Sequence, residues 1–189
     1  MTNASPPRSP LLTLTGLLLL LTVSVNLLAS WSSWGNGARV AAFAAVTVVA
    51  GGVSAQLRGP AAEAFAAMTL LLTLATAAAV EALVDPSDDS GFWTLALALL
   101  TAGWLGYGLL LRELRLPLPA CVAAGQLVLP LLAFAAGSEA GAPWALIATG
   151  LADVAVWRVT TRPSVRTTAL VAAFVVGGWG VLDAIARMG

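Results

Sequence analysis

Apolar residues run along this chain in blocks of membrane-spanning length, separated by short polar segments. The blocks are Leu11–Ala29, Ala38–Leu57, Ala61–Val84, Phe92–Leu111, Ala120–Ala136, Ala142–Val159 and Arg166–Ala186. At about 1.5 Å of helical rise per residue, each is close to the roughly 30 Å hydrocarbon thickness of a bilayer. The pattern predicts an all-α polytopic membrane protein. It has a mobile tail over residues 1–10, with three prolines and Arg8, and a single seven-helix transmembrane domain over 11–189. Leu11–Ala29 is longer than the 7–15-residue core of a signal peptide, and Leu28 is not small, so it reads as a retained span.

The connections carry turn chemistry. Trp31–Gly37 (WSSWGNG) holds two tryptophans, Arg58-Gly59-Pro60 is a tight turn, and the acidic Asp85–Ser90 is suited to capping the helix that follows. Arg112–Pro119 is basic with prolines, Gly137–Pro143 is glycine-rich and Thr160–Val165 is basic. Counting arginines by side gives an orientation. With the N-terminus in the cytoplasm, Arg8, Arg58, Arg112, Arg115, Arg158, Arg162 and Arg166 face inward, and Arg39 and Arg187 outward. The positive-inside rule then predicts N-in and C-out. Asp85, Asp88, Asp89 and Glu139 fall outside on the same assignment, and Trp31, Trp34, Trp93 and Trp144 form an outer aromatic belt.

Composition sharpens this picture. The 189 residues are 59% hydrophobic and 10% charged, with no formal net charge. Mean hydropathy is +0.92. Such a chain has no room for a separate soluble domain, and its partner is the lipid bilayer rather than nucleic acid. All its basic residues are arginines, which fits a high-GC coding bias and, with the seven-span plan, a bacterial cytoplasmic membrane. The lone Cys121 forms no internal disulfide and, without histidine, no metal site.

One residue stands out against this background. Asp153 lies near the middle of the sixth block, and a carboxylate at that depth costs about 2.5–3.5 kcal/mol on insertion scales. The chain has neither lysine nor histidine, and its arginines lie at helix ends or in loops. Asp153 must therefore be protonated, bonded to a neutral partner, or paired with something from outside. Gln126 is the expected partner. It lies near the centre of the fifth block, and a short turn makes the fifth and sixth helices antiparallel, so the two residues meet at one depth. A protonated Asp and a Gln can exchange donor and acceptor bonds. Thr149 and Trp157, four residues to either side, share the Asp153 face. Trp104, Tyr107 and Trp179 are aromatics deep enough to line a cavity. Asp183 and Glu81 sit within about 9 Å of the outer interface, at headgroup water or at the mouth of a pathway to Asp153.

Small residues point to helix contacts. They are Ala98, Ala102 and Gly106 in the fourth block, and Cys121 and Gly125 in the fifth. Gly177, Gly178 and Gly180 lie in the seventh, and Gly51-Gly52 in the second. A faint repeat is also present. Pro60 precedes Glu81 by 21 residues and Pro163 precedes Asp183 by 20. Blocks one to three and five to seven could then be parallel copies joined by the fourth. This 3+1+3 plan is similar, in architecture only, to that of the SWEET sugar transporters.

Catalysis is poorly supplied. A retinal protein needs lysine in its last helix, and a zinc hydrolase of the adiponectin-receptor type needs histidines. Intramembrane aspartyl proteases pair acids on adjacent helices, whereas Asp153 and Asp183 are offset by more than about 10 Å along the axis. Asp183-Ala184-Ile185-Ala186-Arg187 lacks the later acids of the CDP-alcohol phosphotransferases, and Gln126-Leu127-Val128-Leu129 stands without the Pro- and Trp-bearing loop of TspO-type receptors. The sequence therefore predicts a non-enzyme without cofactor or metal. The first expectation is a small permease or channel-like protein for an ion or small molecule, centred on Asp153. The second is a non-catalytic ligand-binding or partner-stabilising subunit, alone or in a homo- or hetero-oligomer. A lipid-modifying enzyme is third. A water-accessible Asp153 favours transport, and a dry Asp153 bonded to Gln126 favours the subunit.

Overall fold

A computed structural model describes Leu18, Thr22, residues 35–138 and residues 140–188, the last without the Met188 side chain. The predicted tail, most of the first span, the Trp31 and Trp34 part of the belt, and Glu139 lie outside the described residues. Leu18 and Thr22 are helical, and the Thr22 hydroxyl donates to the Leu18 carbonyl at 2.7 Å. The described residues otherwise form six helices and no strand: α1 (Asn36–Gln56), α2 (Pro60–Val84), α3 (Asp89–Leu110), α4 (Pro117–Ala135), α5 (Gly141–Val159) and α6. α6 runs from Pro163–Ala172 through a π turn at Ala173–Gly177 into Gly178–Met188.

Five of these helices are long and apolar enough to cross a membrane: α1, α2, α3, α4 and α6. α5 also has 19 residues, but Pro143, Trp144, Thr149, Asp153 and Arg158 dilute its aliphatic content. The sixth predicted span is therefore a helix whose sequence is too polar to count as a span by apolarity. Large apolar side chains point outward, among them Leu71, Leu95, Leu99, Leu127, Phe134, Phe174 and Leu182. Water would penalise so much exposed apolar surface, whereas lipid does not.

The chain forms two compact units, Met1–Leu83 and Val84–Gly189. In the first, α1 and α2 pack through Phe43, Ala50, Phe65, Leu72 and Ala79. Gly59, at φ +70°, makes the turn between them, a conformation glycine adopts without a Cβ penalty. The Asn36 amide donates to the Ala82 carbonyl, tying the open end of the hairpin.

In the second unit α4 packs on α3, α5 and the first part of α6, and α5 packs along the whole of α6. α3 starts at an Asp88 N-cap, whose Oδ1 accepts from the Ser90 amide at 3.0 Å and its hydroxyl at 2.6 Å. α3 turns Leu97, Trp104 and Gly108 inward, one helical face, and leaves Leu95, Leu99 and Leu109 outward. The stripe expected from Ala98, Ala102 and Gly106 is not the contact face: Ala102 is exposed and Gly106 has open space beside it. The close approach is at Gly108, where an added Cβ would come within 2.7 Å of Leu118. α4 ends in a Schellman motif, with Gly137 at φ +67° and the Ser138 amide donating to the Ala133 carbonyl.

Candidate functional site

The site is built where α4 and α5 cross. Gln126 is buried on α4 together with Ala124 and Pro130, and Asp153 is buried on α5 with Thr149 and Gly150. Gln126 Nε2 donates to Asp153 Oδ1 at 2.9 Å and also to the Val122 carbonyl at 2.9 Å. Asp153 is 4% exposed and Gln126 9%. Two atoms of the pair remain without a partner, Asp153 Oδ2 and Gln126 Oε1. Both are acceptors while the carboxyl is ionised. No arginine pairs with Asp153 among the described residues.

Three neighbouring features escaped the sequence reading. Pro130 lies four residues after Gln126 and has no N–H, so the Gln126 backbone carbonyl loses its usual helical partner. A proline at i+4 from a buried polar residue is a signal that sequence alone carries. Thr101 of α3 packs its methyl over Gly125, 3.8 Å from the position a Cβ would take, and its buried hydroxyl has no partner. Finally, Gly150 of α5 touches the Gly177 backbone of α6: a Cβ on Gly150 would lie 2.7 Å from Gly177 Cα. Gly177 closes the π turn. A π turn is uncommon, and here it lies against Gly150, three residues before Asp153.

The remaining predicted residues are dispersed. Thr149 is buried one turn before Asp153, and its hydroxyl donates to its own helix at the Ala145 carbonyl. Trp157 is half-buried, with the Arg166 guanidinium 5.0 Å above its ring. Trp104 is buried and Tyr107 half-buried on α3. Trp179 is 68% exposed on α6 and turned outward, although its neighbours Gly177 and Gly180 face α5. Asp183 forms an ion pair with Arg187 at 3.1 Å. Glu81 is half-buried near the end of α2, in the first unit.

These elements define a class: a multi-pass helical membrane protein whose second unit holds a buried carboxyl–amide contact between two helices. Comparisons with protein-family models, with curated proteins and with solved structures found no match. His, Cys, Asp and Glu form no group of three or more that could hold a metal among the described residues.

Proposed function

We propose that this protein is a non-catalytic, multi-pass subunit of a bacterial-type cytoplasmic membrane, oriented N-in and C-out with seven spans. In this reading Asp153 and Gln126 form a neutral clamp between α4 and α5. The supporting observation is the buried 2.9 Å bond together with its two unpartnered oxygens. A single proton on Asp153 Oδ2 supplies the donor that Gln126 Oε1 lacks, so one neutral species can satisfy both ends. Interhelical polar bonds of this kind are worth about 0.6–2 kcal/mol in membranes. The permease reading rests on the same two oxygens: left unpaired, they are a place for a transported proton or cation.

Two variants separate these readings. Asn keeps the shape of a neutral Asp and can both donate to and accept from Gln126. A clamp predicts that Asp153→Asn has wild-type thermal stability in detergent. Asp153→Leu loses roughly 1–3 kcal/mol, because Gln126 is left buried and unpaired. Proton flux into proteoliposomes, read with a pH-sensitive dye, gives the other arm. Flux that is present in the wild type and absent in a stable Asp153→Asn protein overturns the clamp and establishes the permease.

A further inference from the structure

A second feature lies away from the clamp. At one end of the second unit, the α3–α4 and α5–α6 connections face a common cavity of about 430 Å³. Arg112, Glu113 and Arg115 line it from the first connection, and Arg162 and Ser164 from the second. Three arginines against one glutamate leave the wall cationic. Leu114, buried at 3% exposure, anchors the first connection beneath it. The second is held by a 3.4 Å bond from the Arg162 amide to the Thr160 hydroxyl.

The chemistry of this wall is that of an anion site. Neither Arg112 nor Arg162 is in an ion pair among the described residues. α6 begins at Pro163, and the N-cap position before it, Arg162, makes no side-chain cap bond. The Ser164 amide is thus a first-turn donor without an intrahelical acceptor, at the positive end of the helix dipole. Arginine forks match the geometry of phosphate oxygens, and helix N-termini hold the same group. Apolar surface lies close by in the chain: Leu110 and Val159, which end α3 and α5 just before the two connections, are 84% and 83% exposed. Basic pockets between membrane helices that open beside apolar surface suit phospholipid headgroups.

We propose that this cavity binds a phosphate-bearing anion, with Arg112 and Arg162 gripping the phosphate oxygens against the start of α6. A phospholipid headgroup and a free phosphate present the same oxygens, and the experiment tells them apart. The inference does not depend on the state of Asp153.

The test uses the full chain in neutral detergent. Native mass spectrometry counts bound phosphatidylglycerol against phosphatidylcholine, and thermal denaturation is followed with and without inorganic phosphate. The wild type retains phosphatidylglycerol in preference to phosphatidylcholine. Arg112→Gln and Arg162→Gln each weaken that binding roughly tenfold, the usual cost of one charge-assisted bond. Arg187→Gln, equal in charge but located at the far end of α6, does not. Preference for the anionic lipid with no response to phosphate assigns the site to a headgroup. Stabilisation by phosphate that is lost in the Arg112 and Arg162 variants assigns it to a free anion. Should Arg162→Gln fail to fold, the exposed Arg112 carries the test alone. The proposal is overturned if phosphatidylglycerol is held no better than phosphatidylcholine and phosphate has no effect. It is equally overturned if Arg112→Gln binds as wild type, or if Arg187→Gln weakens binding as much.

Discussion

Asp88 shows how one side chain sets a helix start. Its carboxylate accepts from the Ser90 hydroxyl and amide, in the acidic turn whose composition suggested a cap. The Ser90 hydroxyl, followed by the Gly91 and Ser90 amides, holds its pKa below the ordinary carboxylate value. The sign follows from linkage: a depressed folded pKa stabilises the fold above the unfolded value and loses that contribution as pH falls through the folded one. Asp88→Ala should therefore lower the thermal midpoint at neutral pH, and the difference from wild type should shrink on acidification. A difference that does not change with pH would show that the charge has no part in the cap. Asp153 is a different case. Its partner was legible because a short turn makes α4 and α5 antiparallel and brings mid-helix residues to one depth. Pro130, one turn after Gln126, and Thr101, packed on Gly125, were not singled out, since threonine and proline are common in membrane helices for many reasons.

Between elements, the decisive contacts are places where side chains are missing. Gly150 and Gly177 let α5 and α6 touch backbone to backbone, and Gly180 meets the Pro143 carbonyl and the Ile147 amide in the same way. A methyl at Gly150 meets main-chain atoms, which cannot swing aside. Gly150→Ala should cost about 1–3 kcal/mol, the usual range for overpacking. Gly106→Ala, with open space around it, should leave the thermal midpoint unchanged or slightly raised. Equal midpoints for the two variants would refute the close crossing. The glycines of the seventh predicted span were noticed in the sequence, but Gly150 and Gly108 were not. An 18-glycine chain offers many small residues, and spacing alone does not say which of them face a neighbour.

For the whole molecule, orientation is the open quantity with a direct assay. Arg112, Arg115 and Arg162 share one cavity, so two of the connections assigned to the cytoplasm lie at the same end of the second unit. Single cysteines at Ser87 and Ser138 should react with an impermeant maleimide from outside intact cells. A cysteine at Ser164 should react only after the membrane is opened. Cys121 is buried and should stay silent, which can be checked in the unmodified protein. Labelling at Ser164 in intact cells would reverse the assignment.

What the sequence by itself determined is the class of element and its limits. Apolar block length dictates helices, and Gly, Pro and Asp mark the turns between them. Depth along the axis is likewise encoded, because it is a matter of counting residues at a constant rise. That is why Gln126 and Asp153 could be matched before their bond was seen. Only the tertiary structure decided rotation about each axis. These helices are apolar nearly all round, so no polar stripe distinguishes an inner face from an outer one. Trp179 therefore turned outward, Gly108 rather than Gly106 met its neighbour, and α5, which falls short of the apolarity of a span, packed between α4 and α6. The arginine cavity belongs to the same category. Its residues come from connections some fifty positions apart, and only the packing of α4, α5 and α6 brings them together.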